Sequence, residues 1–248
     1  MGLHVERAGE TGPTVVLVHG NGPPGWGAWD AVRPLADRYR LVVPHRGGYP
    51  PNPPLDQIDF ERQADELAEL VEPGSHLVGH SYGGVIALIM AGRIGDRLRS
   101  LAVGEPPAFG LVRGNPAAEA IIAELQRVRE ADGDARTQLM AFMRAVGSTT
   151  EVPDPLPPGG EQLVQAGNAQ RPPWEARFDF AAIRAEGMPV LVITGGHSDA
   201  FEAIGDVIER ELSAERAVLP GRGHSVQRIG QPFNDRLAAF IDAADSTE

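Results

Sequence analysis

The chain has 248 residues, no cysteine and a formal charge of −12, from 22 Lys+Arg against 34 Asp+Glu. This length suits one α/β domain with a sizeable core, and the lack of Cys excludes disulfides, thiolate nucleophiles, Fe–S clusters and Cys-ligated zinc. The acidic balance disfavours nucleic acid or an anionic membrane as a partner. The N-terminus lacks a basic-then-apolar leader, and Glu6 stands where a myristoylation signal needs Ser or Thr. The longest apolar run, residues 85–91, is too short to span a bilayer. A cytoplasmic protein is therefore expected.

Short β-branched runs alternate with amphipathic patterns along the chain, which predicts a mostly parallel, doubly wound sheet. One strand fits around residues 3–7. Further strands are expected at 14–18 (TVVLV), 40–43 (RLVV), 76–78 (HLV), 100–103 (SLAV), 190–194 (VLVIT) and 216–219 (RAVL). Their near-continuous apolar character suits strands covered on both faces. Helical spacing follows at Phe60, Ala64, Leu67 and Val71, at Phe201, Ile204, Ile208 and Leu212, and at Phe233, Leu237, Phe240 and Ile241. The run VIALIMA after Ser81 is apolar all round, so its helix is expected to be buried.

The alternation stops between about Pro106 and Glu186. Two helical patterns stand there, one through Ile121, Ile122, Leu125 and Val128, the other through Leu139, Phe142, Met143 and Val146. A Pro/Gly-rich link, residues 152–173, follows without apolar periodicity. We read residues 107–185 as a helical insertion that covers the site, on a core formed by 1–106 and 186–248; a separate small domain is the alternative.

The strongest chemical signal is Gly79-His80-Ser81-Tyr82-Gly83 between a strand and a helix, a G-x-S-x-G turn in the context that this motif requires. Glycines two residues either side of the serine remove Cβ atoms that would meet the neighbouring strand and helix. The helix starting there aims backbone N–H groups at any charge that develops on a reacting group. Upstream, His19-Gly20-Asn21-Gly22-Pro23-Pro24-Gly25 ends the strand TVVLV. That loop is expected to lend the Asn21 N–H, which with the Tyr82 N–H would form an oxyanion hole.

Ser81 needs a base. Among seven histidines, His224 lies in PGRGH directly after the last strand, at the sheet end where ligand chemistry gathers. His197, in another strand-end loop, is its rival. His19 and His80 read as loop-shaping, His4 and His76 as scaffold or surface, and His45 as either a site-lining or an inert residue.

HGNG, GHSYGG, a strand-end acid and a late PGRGH together resemble the α/β-hydrolase family over nearly the whole chain, the insertion falling where that fold usually carries a cap. The resemblance implies Ser81 as nucleophile, His224 as general base and then acid, and Asn21 and Tyr82 as oxyanion donors. The short N-terminus and His45 in place of an Asp depart from the usual pattern. For the triad acid two positions stay open. Asp199 follows VLVIT-GGHS one residue later than the family's usual slot when counted from Gly195, although it fits when counted from Gly196. Glu105, at the end of SLAVG and before Pro106-Pro107, is preferred, because a carboxylate held between glycine and proline is rigid. That carboxylate is expected to raise the imidazole pKa.

A serine hydrolase opening a carboxylic ester or lactone through an acyl-enzyme is the resulting expectation, with no metal or cofactor required. A thioesterase, a C–C bond hydrolase and a non-hydrolytic ligand-binding relative are the alternatives. The substrate is expected to be a small, largely apolar molecule, contacted by Trp26, His45, Phe109 and Trp174. Oligomeric state is not readable.

Overall fold

The computed structural model describes residues 2–246. Its sheet has seven strands: β1 (Val5–Ala8), β2 (Thr14–Val18), β3 (Arg40–Pro44), β4 (Ser75–His80), β5 (Leu98–Gly104), β6 (Val190–Thr194) and β7 (Glu215–Val218). They lie in the order β1-β3-β2-β4-β5-β6-β7. Only β1 is antiparallel to its neighbour; the others pair in parallel. After β2 the chain moves outward to β3, and after β4 it moves the opposite way to β5. The carboxyl ends of β2 and β4 therefore bound a crevice at a topological switch point.

Successive strand residues face opposite sides, and both sides are buried. Val16, Val18, Leu77, Val103 and Val192 pack against α2 (Phe60–Ala68), α3 (Tyr82–Ile94) and α8 (Asp199–Leu212), using Phe60, Leu67, Val85, Phe201 and Ile204. Val15, Leu17, Val43 and Ile193 pack on the other side against Trp29, Val32, Phe233 and Leu237, drawn from α1 (Trp26–Trp29), the following 3-10 segment and α9 (Gln231–Asp245). Each interior strand, β2 to β6, must satisfy two apolar layers, which is why it reads as a run rather than as an alternation, whereas the edge strands β1 and β7 are partly exposed. In α3 every residue from Tyr82 to Ala91 is buried, as its all-round apolarity implies.

Between β5 and β6 stand α4 (Pro116–Glu130), α5 (Ala135–Ala145), α6 (Gly160–Ala169) and α7 (Phe180–Ala185). Asn115 and Asp134 cap α4 and α5 by accepting from backbone N–H groups in the first turn, and Pro116 opens α4. Two details differ from the sequence reading. The Pro/Gly-rich link contains a helix, α6, whose two glycines and few apolar residues hide its period. The last helix of the insertion, α7, packs with α3 and α8 in the core layer, with Arg184 donating to the Glu211 carbonyl. No helix among the described residues is long and apolar enough to cross a membrane.

Candidate active site

Ser81 sits between β4 and α3 with φ 53° and ψ −126°, a conformation that an L-residue adopts only under constraint. The constraint is local packing. A Cβ on Gly79 would lie 2.4 Å from the Gly83 carbonyl oxygen, and one on Gly83 would lie 2.2 Å from that of Val18. The turn can close against β2 only because both side chains are absent.

The Ser81 Oγ is 2.9 Å from His224 Nε2, and His224 Nδ1 is 3.2 Å from Glu105 Oε2. All three side chains are buried. Glu105 also has positive φ, 49°, and its Oε1 accepts the Gly195 N–H at 2.6 Å. The strands β5 and β6 thus hold the carboxylate from both sides. Asp199 is not brought to the histidine: it opens α8 on the surface, where an acid suits a helix N-terminus. His197 is likewise away from the serine. Its Nε2 donates to the Val146 carbonyl at 3.1 Å, and its Nδ1 stands 3.8 Å from the second Glu105 oxygen.

His80 lies behind His224. Its Nε2 donates to the His224 carbonyl at 2.8 Å, and its ring is edge-on to Trp29. Burial lowers both His224 and His80 to about 3 and raises Glu105 to about 7. For His224 the direction is opposite to that expected from a carboxylate neighbour alone, because desolvation of the imidazolium dominates.

The loop after β2 is fixed from beneath. The His19 Nδ1–H donates to the Gly20 carbonyl at 2.8 Å, its tautomer set by the Arg46 N–H bonded to Nε2. The buried Arg46 guanidinium adds a second donor to the same carbonyl at 2.8 Å, reaches Gln63 Oε1 at 2.7 Å, and lies over the Tyr49 and Tyr82 rings. A trans peptide points its C=O and N–H in opposite directions. Anchoring Gly20 O toward Arg46 therefore turns the Asn21 N–H away from it. Among the described residues, neither the Asn21 N–H nor the first helical N–H, that of Tyr82, has a protein acceptor. Tyr49 donates to Asn21 Oδ1 at 2.5 Å and accepts from Gln170 of the insertion at 2.7 Å. Arg46, Gln63 and Tyr49 carry no sequence signal of this role, since in sequence they belong to a Gly/Pro turn and a helix face.

A cleft of about 840 Å³, its mouth open to solvent, joins Ser81, Asn21 and Tyr82 to residues of α4, α5 and α6. Leu125, Phe142 and Val164 give it apolar walls, while Arg129, Gln138 and Asn168 form a hydrogen-bonded polar end. Of the four expected substrate contacts, Trp174 lines this cleft and the other three do not. Trp26 is buried in the opposite layer of the core, beneath Arg33. Phe109 is fully buried against Phe201. His45 faces β1, bonded to Pro50 and Glu6. In each case the core or the sheet edge claims the ring first.

The sequence model of a family described as "Alpha/beta hydrolase family" matches residues 15–239. Among curated proteins, the chain is 36% identical over 135 residues to a pimeloyl-[acyl-carrier protein] methyl ester esterase of Methylococcus capsulatus, covering 54% of this chain and 51% of that protein. A second protein of that name, from Aeromonas hydrophila, is 35% identical over 113 residues, 44% of each chain. The chain thus spans about half the length of these relatives. In fold it is similar to a carboxylesterase structure from Nitrososphaera gargenis, with a TM-score of 0.74, 19% identity, and coverage of 99% and 96% of the two chains.

Proposed function

The chain belongs to the alpha/beta hydrolase family, and from that premise we propose that it is a serine hydrolase cleaving a carboxylic ester, or a lactone, of a small and largely apolar substrate. The observation that carries this reading is the 2.9 Å contact between Ser81 Oγ and His224 Nε2, backed by Glu105 at 3.2 Å. Ser81 attacks the carbonyl carbon while His224 takes its proton. Glu105 holds the Nδ1–H tautomer and stabilises the imidazolium that forms. The tetrahedral oxyanion accepts from the Asn21 and Tyr82 N–H groups. His224 returns the proton to the leaving alcohol, and the same histidine then activates water to release the acid.

The insertion acts as a cap whose apolar walls receive the acyl chain. The methyl ester named for two relatives makes methyl esters of medium-length acids the first substrates to assay. The test is a graded series of p-nitrophenyl and methyl esters, assayed with the parent and with Ser81→Ala. Turnover by the parent that vanishes in the variant supports the reading. Binding of the esters without any turnover by the parent would replace it with a ligand-binding role.

A further inference from the structure

We propose that His4, Glu6 and His45, none of which lines the Ser81 cleft, form a binding site for a divalent transition-metal cation at the sheet edge. Extended residues two apart share a face, so His4 and Glu6 project to the same side of β1 and its lead-in. The antiparallel register Val5↔Pro44 places His45 opposite His4, and the His45 N–H donates to the His4 carbonyl at 2.9 Å. The imidazole and carboxylate ligand atoms of the three residues lie within 4.8 Å of one another.

Hydrogen-bond roles supply a second argument. His45 Nδ1 is 2.6 Å from the Pro50 carbonyl oxygen, which can only accept, so Nδ1 carries a proton. In the neutral ring, Nε2 then presents a lone pair. Glu6 Oε2 stands 3.1 Å from Nε2 and already accepts the Trp26 N–H at 2.7 Å. Two acceptors face one another unless a proton or a cation lies between them. Their separation is close to the edge of a tetrahedron of ligands at about 2.0–2.1 Å from zinc, an edge of roughly 3.3 Å. The Nδ1–H to Pro50 bond is the orienting contact that metal-bound histidines carry.

The inner side of the pair is closed by Gly25, whose Cβ, if present, would lie 2.1 Å from Glu6 Oε2 and 2.2 Å from His45 Nε2. His4 closes the exposed side, its ring 4.6 Å from that of His45. A cation held there keeps one position for water. It pins the edge strand to Gly25 and Trp26, where the loop carrying Asn21 ends.

The experiment is calorimetric titration of the EDTA-treated, tag-free chain with zinc chloride, repeated with His4→Ala and Glu6→Gln. His4 is exposed, and a glutamine carbonyl still accepts from Trp26, so both variants are expected to keep their metal-free melting temperature. The expected result is one zinc per chain for the parent, at least about tenfold weaker binding in each variant, and a zinc-dependent rise in melting temperature confined to the parent. Cobalt should give a visible absorption band in the parent that both variants lose. Absence of stoichiometric binding by the parent, or binding unchanged in both variants, overturns the site.

Discussion

The helices α3 and α5 both face the cleft, yet they are built on opposite terms. From Tyr82 to Ala91 α3 is buried throughout, whereas α5 contains no buried residue and touches the cleft with one side only. The first belongs to the body that holds Ser81 in a strained backbone; the second belongs to a layer laid over it. Strain persists only where the surroundings over-determine it. The strained serine therefore sits at the head of α3 on its glycine-lined turn, and α5 lines the cleft from the outer layer.

Breaking the buried side should have the largest effect. Ser81→Ala is expected to keep the fold, by circular dichroism and melting temperature, and to lower kcat by at least ~10³-fold. Glu105→Gln should cost ~10²–10⁴-fold in kcat, whereas Asp199→Asn should stay within about twofold, as for a surface substitution far from the reacting atoms. Equal losses in the two variants would refute the assignment of Glu105.

Acid should attack the same buried layer. His19, His76, His80 and His224 all lie below the ordinary imidazole value because burial disfavours their charged forms. Unfolding lets each take up a proton as pH falls below ~6.5, so their contribution to stability is present above that pH and lost on acidification. Glu105, raised to about 7, acts in the opposite sense between its unfolded value of 4.5 and 7, but it is one group against four. The denaturant midpoint should fall from pH 7.5 to 5.5, reflecting an unfolding free energy that drops by roughly 1.4 kcal/mol per pH unit for each net proton. A midpoint constant over that range would contradict four neutral buried histidines. The acid limb of kcat/KM should lie below ~6.5 for the same reason.

Perturbing the outer layer should do least. Phe142→Ala is expected to cut kcat/KM for long acyl esters by about 10-fold and to leave acetate esters nearly unchanged. A uniform loss across chain lengths would mean that α5 supports the fold rather than the chamber.

Legibility divides along the same line. Strand runs, the glycine-flanked serine and the late histidine are short-range patterns dictated by local sterics, and β2 and β6 occupy the expected residues, 14–18 and 190–194. Glu105 and His224 are 119 residues apart, and their meeting depends on β5 and β7, the two strands flanking β6, ending at the same edge of the sheet. Less visible was α6, because Gly160 and Gly167 lower helix propensity while serving close approach: a Cβ on Gly167 would lie 3.0 Å from Asn21 Oδ1. Trp26 and Phe109 pack inward, and an aromatic near a motif reads alike in sequence whether it packs inward or faces a ligand. Arg46 had no sequence signature, since its role depends on a carbonyl contributed by β2's loop.

The insertion is fastened to the core by backbone as well as by side chains. Ile58 exchanges hydrogen bonds with Ala169 and Arg171, and Ser148 bridges to Gly223. Beside that bridge, the His224 N–H donates to the Gly147 carbonyl at 3.3 Å. Any excursion that carries Gly147 outward must either sever this bond or drag residues 221–225 along. Lifting the insertion at that corner would thus displace the loop that carries His224.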